Sequence, residues 1–155
     1  AGPAVMAIDA MKKLSIKPAF PSEETVRKLR QEYPEAYIVN NNPVDLTGSA
    51  TSRDYKIALE ALLQDRNVDI LMPIFVFQDT PLDEQIVDVL KECNHRGKPI
   101  LCCASGGPYV KRMARRIERH GIPVYETPEE AVKAIDNLYL YSRWRRQCQE
   151  LQGRS

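Results

Sequence analysis

The ten residues VDILMPIFVF (68–77) constrain this chain more than any other stretch. Apart from Asp69 the run has no polar face to offer to water. It therefore suits a strand covered on both sides, as the central strands of parallel sheets are. Pro73 lies inside it and removes one ladder donor. Regular pairing is accordingly expected to end at the proline, with the rest continuing as an apolar loop.

Around this run, strand-like and helix-like segments alternate. Val5, Ala7, Ile8, Met11 and Leu14 fall at three- and four-residue spacing and predict a helix over 4–14, packed on one face. Ser22 with Glu23, Glu24 and Thr25 starts a second helix, with Val26 and Leu29 inside. AYIV (36–39) is a short strand. Thr51 and Asp54 form a capping box for a helix carrying Tyr55, Ala58, Leu59 and Leu62. Thr80, Pro81 and Asp83 supply cap, first-turn proline and reciprocal acid for a helix burying Ile86, Val89, Leu90 and Cys93 and stopping at Gly97. PILCCAS (99–105) is the next strand, followed by Gly106-Gly107-Pro108 and a helix with Val110, Met113, Ala114 and Ile117 inside. PVYE (123–126) is the last, and Thr127, Pro128 and Glu130 start the closing helix.

Short strands joined by helices imply parallel crossovers, so the expected fold is α/β: a three-layer, flavodoxin-like parallel sheet. One element breaks the count. A helix at 4–14 normally follows a strand, so the first strand is expected upstream of residue 1. The expected organisation is one domain over 1–142 and a basic C-terminal tail over 143–155.

The formal charge of the 155 residues is +1, so no whole-molecule field points to nucleic acid or to an anionic membrane. No apolar run approaches the roughly 20 residues that span a bilayer, and a cytoplasmic location is the default expectation. Lys111, Arg112, Arg115, Arg116 and Arg119 line one helix, and Arg143, Arg145, Arg146 and Arg154 gather near Trp144. Neither cluster matches a nucleic-acid reader motif, though the tail suits a partner surface. Cys93, Cys102, Cys103 and Cys148 have no metal-ligand spacing. Adjacent Cys102 and Cys103 point to opposite faces of a strand and read as buried free thiols. His95 and His120 stand at helix ends, where a capping role is expected. No nucleophile, zinc or phosphate-loop motif is present.

In an open parallel sheet, ligands bind at the carboxyl ends of the strands, where loops meet helix N-termini. Three segments fall there. AGPA (1–4) opens the first helix, NNNPVDLTGSATS (40–52) is longer than most connections, and Ser105, Gly106 and Gly107 precede another helix. Within the long loop, Asn41, Asn42 and Asp45 suit ligand orientation; Asp45 suits equally an Asx turn that accepts loop amides.

Taken together these stretches resemble the NDP-forming acyl-CoA synthetases, which include the ADP-forming acetate–CoA ligases and are related to succinyl-CoA synthetase. NPVDLTG, followed by a Tyr-Ala-Leu helix and NVD, is the most specific stretch. AGPAVMAIDAM, GKPILCC and HGIPVYETPEEAVKAIDNLYLY are similar to the same domain's other elements, so the match covers nearly the whole chain. The resemblance implies the flavodoxin-like ligase domain at the end of an alpha-type subunit. The implied reaction joins acid and CoA at the expense of a nucleoside triphosphate, through a phosphohistidine on another domain. The implied role of this domain is to stabilise the phosphoryl group with a helix N-terminus, at Gly2, Pro3 and Ala4. Asn42, Pro43, Asp45, Thr47 and Gly48 fall on the family's characteristic loop. By the same resemblance, this domain binds no cofactor alone. CoA, ADP or ATP and Mg2+ belong to the complete enzyme, and the partners are its CoA-binding and phosphohistidine domains and its nucleotide-grasping subunit. In isolation the domain is expected to be inactive. The alternative is a non-catalytic regulatory or acyl-CoA-sensing module with the same fold, which the altered AGPA turn also suits.

Overall fold

The structure is a computed structural model and describes residues 2–38, 42–77 and 80–152. Ala1, Val39, Asn41 and Arg154, which figure in the sequence reading, lie outside the described residues. Among these residues six helices and five short strands follow in the order α1 (Gly2–Met11), α2 (Glu23–Glu32), β1 (Tyr37–Ile38), β2 (Val44–Asp45), α3 (Ser52–Gln64), β3 (Ile74–Phe75), α4 (Ile86–Asn94), β4 (Cys102–Ala104), α5 (Pro108–Glu118), β5 (Val124–Tyr125) and α6 (Pro128–Gln152). The fold is three-layer α/β, of flavodoxin-like topology, with a parallel sheet ordered β3-β4-β5. No first strand is integrated into that sheet among the described residues.

The apolar run behaves differently from expectation at Pro73. Leu71 bridges Ile100 in parallel, and pairing resumes beyond the proline, Ile74 opposite Cys103 and Phe75 opposite Ala104. The Leu71 N–H donates to the Pro99 carbonyl, and the Pro73 carbonyl accepts from the Cys103 N–H. The imide nitrogen therefore falls on the β4 side, where it costs one ladder bond, and the strand carries on past it.

AYIV is corrected more substantially. Its strand, β1, pairs antiparallel with β2, Tyr37 opposite Asp45 and Ile38 opposite Val44, in a separate two-stranded sheet. A β2 strand inside the loop was not expected. Between this ribbon and the outer edge of β3 lies a cleft. A strand separated from its neighbour by that distance has no ladder to join, so it satisfies its backbone locally by folding back on the next segment.

The main core lies under α3, α4 and α5. Phe75, Cys102 and Ala104 meet Ile86, Leu90, Met113 and Ile117 there, all buried. Cys103 points to the opposite face, toward Glu129 and Glu130 of α6. The opposed thiols follow from the two-residue period of a strand. A second core joins Leu29 of α2 and its C-cap residue Tyr33 to Leu46, Ala58 and Ala61.

Helix starts follow the sequence at α2, α3 and α6. Ser22 accepts from the Thr25 N–H, Thr51 and Asp54 cap reciprocally, and the Glu130 N–H donates to Thr127 Oγ1 at 3.2 Å. At α4 it does not. Thr80 Oγ1 donates to the Val76 carbonyl at 2.6 Å, and the helix starts later, at Ile86, with no side-chain cap bond. Asp83 instead accepts from Ser52 Oγ at 2.6 Å and from the Gln85 N–H at 3.1 Å. The residues named as a cap thus tie the strand exit and the start of α3 together.

The end expected to be a tail, from 143, continues α6 as helix to Gln152. No helix among the described residues is long and apolar enough to cross a membrane.

Candidate functional site: a cleft beside β3

A cleft of about 1370 Å³ lies between α1, the connection over 15–21, the loop over 42–50 and the outer edge of β3. Its origin is visible in α1. Ala4, Ala7, Ile8 and Met11 make the inward stripe of this helix and line the cleft, but only Ala7 is buried. Val5, expected inside, is 58% exposed. Helix α1 packs on α6 and is fastened there by the Ser15 N–H, which donates to Asp136 Oδ1 at 2.8 Å. The sheet layer that would normally lie beneath its stripe is the cleft.

The opposite wall is backbone. In a parallel strand, successive residues turn their N–H and C=O to alternate sides. Leu71 faces β4, so Ile70, Met72 and Ile74 face the cleft. Tyr55 Oη donates to the Ile74 carbonyl at 2.9 Å. Among the described residues, the N–H and C=O of Met72 have no partner. Burial, followed by the nearby Asp45 and Tyr33, pushes the Tyr55 phenol up to about 12, so it remains a neutral donor. From sequence, Tyr55 is expected only as an inward helix residue; a tyrosine on an apolar helix face is the signal that a buried carbonyl needs a donor.

The loop supplies the third wall. Asn42, Pro43, Asp45, Thr47 and Gly48 all line the cleft, as do Pro3 and Ala4, whereas Gly2 is exposed outside it. The loop's polar side chains hold the loop itself. Asn42 Nδ2 donates to the Ala19 carbonyl at 2.9 Å, and Asp45 Oδ1 accepts from the Thr47 N–H at 2.8 Å, the Asx turn that was one of two readings. Thr47 takes a left-handed backbone, φ 65°, and its hydroxyl meets Ser49 Oγ at 2.8 Å. The Tyr33 hydroxyl donates to the Leu46 carbonyl at 2.8 Å from below, and the Asn42–Pro43 peptide is cis. The anchor of Asn42 is beyond the C-terminal end of α1. Loop and helix therefore share one cavity, with no hydrogen bond between α1's first turn and the loop among the described residues.

The third predicted segment is elsewhere. Gly106 lines a separate hollow of about 220 Å³ with Val110 and Lys111, and neither Ser105 nor Gly107 lines the cleft. Asn94 Nδ2 donates to the His120 carbonyl, and His95 is the C-cap residue of α4. Cys93, Cys102 and Cys103 are buried free thiols, and no metal-binding group is present among the described residues.

No family model matches the chain. Among curated proteins it is 38% identical over 139 residues to the alpha subunit of an ADP-forming acetate–CoA ligase II of Pyrococcus furiosus, covering 86% of this chain and 30% of that one. It is 37% identical over 143 residues to an ADP-forming acetate–CoA ligase I of Archaeoglobus fulgidus, covering 92% of this chain and 20% of that one. A solved structure, the dinucleotide-forming acetyl-coenzyme A synthetase 1 of Ca. Korarchaeum cryptofilum in complex with phosphate and ADP, superposes with a TM-score of 0.78 at 28% identity. That match covers 92% of this chain and 31% of the other. The chain thus spans about a third or less of these relatives. It is homologous to one region of the ADP-forming acetate–CoA ligases and shares that region's fold.

Proposed function

We propose that this chain is the flavodoxin-like ligase domain of an ADP-forming acyl-CoA ligase and lends the head of α1 to a phosphoryl-transfer site. The complete enzyme would convert acid, CoA and ATP to acyl-CoA, ADP and phosphate, through a phosphohistidine on another domain. The CoA-binding and phosphohistidine domains and a nucleotide-grasping subunit are the partners in this reading, and CoA, ADP or ATP and Mg2+ belong to the assembly. Alone, the domain would turn nothing over.

The observation that carries the reading is that Pro3 and Ala4 line one cleft together with Asn42, Asp45, Thr47 and Gly48. The first turn of α1 has N–H groups with no intrahelical acceptor at Gly2 and Ala4, and none at Pro3, and of these residues Pro3 and Ala4 line the cleft. Such amides stabilise an anion without giving it a proton. The loop's part would be to shape the wall, since its Asn42 and Asp45 side chains are engaged internally. Ser105, Gly106 and Gly107 would stay outside this site.

The test is Ala4→Pro in the assembled ligase. Proline is tolerated in a first turn and deletes one donor. Phosphoenzyme formation and turnover should fall by about 10²-fold or more while the helix content holds. Wild-type turnover in that variant would overturn the catalytic reading in favour of a non-catalytic, regulatory module.

A further inference from the structure

The run that forms β3 has apolar side chains on both faces, and the fold buries one. Leu71, Phe75 and Phe77 lie in the main core. Ile70, Met72 and Ile74, of the opposite parity, line the cleft and are only half-buried, and Val76 beyond them is 55% exposed. From α1, Ala4 and Ile8 line the same space and are half-buried too, while Tyr55 and Leu62 of α3 line it from the other layer. The cleft thus has an apolar helix on two sides and a strand edge on the third.

That edge calls for main-chain partners. Met72 offers an N–H and a C=O that have none among the described residues, at the centre of a row that spans about 16 Å from Ile70 to Ile74. An extended polypeptide presents its own N–H and C=O at the same repeat. It also turns alternate side chains to the two layers, so a segment lying between two apolar helices must itself be apolar at every position. The charge on the cleft selects what flanks such a segment. Of the charged residues lining it, Glu35, Asp45 and Asp69 are acids and Lys17 is the base. Asp69 precedes the row, and Asp45 acts on the Tyr55 phenol, which is bonded at the Ile74 end. Both ends therefore carry an acid and favour a basic flank.

We propose that the cleft is a strand-addition site, which seats an extended segment of a partner chain along Ile70, Met72 and Ile74. The segment is about five apolar residues long, with lysine or arginine at either end. Main-chain bonds at Met72 hold it, side chains of one parity pack against α1, and those of the other pack against α3. The site rests on the geometry of the cleft and does not require the phosphoryl role proposed above.

The probe is a fluorescent peptide of alternating valine and isoleucine between two lysines, N-methylated at alternate residues. Methylation along one edge leaves the other free to pair and prevents the peptide from stacking on itself. It should bind the 155-residue chain saturably and slow hydrogen exchange at the Met72 amide by about tenfold or more. Methylation along both edges should abolish binding. Glutamates in place of the lysines should weaken it by about fivefold or more, as should Met72→Pro with unchanged circular dichroism. Equal binding of the doubly methylated peptide, or no slowing at Met72, overturns the proposal. So does a Met72 amide that is protected in the peptide-free monomer, because the chain itself then fills the cleft. Self-association that saturating peptide leaves intact overturns it in favour of a second copy. The Ala4→Pro turnover test is read in the assembled ligase, so failure of that reading and failure of this one are separate results.

Discussion

Asp65 shows how a single buried carboxylate organises the junction of α2 and α3. It is 4% exposed and accepts from the Ser22 N–H at 2.7 Å, Ser22 Oγ at 3.0 Å and the Asn67 N–H at 2.8 Å. Burial pushes its pKa up, but the hydrogen bonds from Thr25, Asn67 and Ser22 together outweigh burial and bring it from 3.8 down to about 2. The folded carboxyl holds its proton less tightly than the unfolded one. Its stabilisation is therefore complete above the unfolded value and lost as the pH falls through 3.8 toward about 2. Asp65→Asn should cost about 2 kcal/mol near neutral pH, with the difference from wild type in urea unfolding closing in acid. The cysteines allow a second check. Burial raises the thiol of Cys103 to about 11 and that of Cys102 further, so both stay protonated and shielded. Under native alkylation Cys148, which is partly exposed, should label first, and Cys93, Cys102 and Cys103 only after denaturation, as read by mass spectrometry. Buried thiols were legible from the sequence because Cys102-Cys103 sits in an apolar strand. Asp65 was not, because its donors come from Ser22, 43 residues away, and no local pattern records a contact of that range.

Among the elements, the turn into α5 is the most sharply specified. Gly106 has φ +157°, and a Cβ there would meet Val110 Cγ2 at 2.5 Å, a side chain held in the core by its own helix. Gly106→Ala should destabilise by about 1–3 kcal/mol in thermal or urea unfolding. Gly107→Ala, with nothing within 4 Å, should change stability by no more than about 0.5 kcal/mol. Gly106 thus has a structural reason that a ligand does not need to supply. Helix caps were legible where the capping side chain and its amide are three residues apart, as at Thr51 and Asp54. Thr80 to Asp83 carries the same letters, but a strand-exit carbonyl at Val76 and the Ser52 hydroxyl compete for them and win. Thr51→Ala, which removes a cap with no such competitor, should cost about 1 kcal/mol.

At the scale of the molecule, the parallel sheet and its covering helices were readable from alternation alone, because each strand from β3 to β5 is followed by a helix. The place of β1 was not, since strand pairing is decided by what lies beside it and not by its own four residues. The site was readable as loops and not as a cavity: the walls from 15–21 and from the backbone of Ile70 to Ile74 carry no motif. The open edge of β3 has a measurable outcome. An unpaired strand edge in an apolar cleft templates pairing with another chain. The isolated chain should show concentration-dependent association in sedimentation velocity, reduced several-fold by Met72→Pro, which deletes a cleft-facing donor and leaves the β4 ladder untouched. The position of Pro73 sharpens this. Its missing hydrogen lies on the interior seam, so the outward row of Ile70, Met72 and Ile74 keeps every amide in step. An incoming extended polypeptide would find there a continuous template, vacant at Met72 and already claimed by the Tyr55 phenol at its far end, which sets how far along β3 a new neighbour can run.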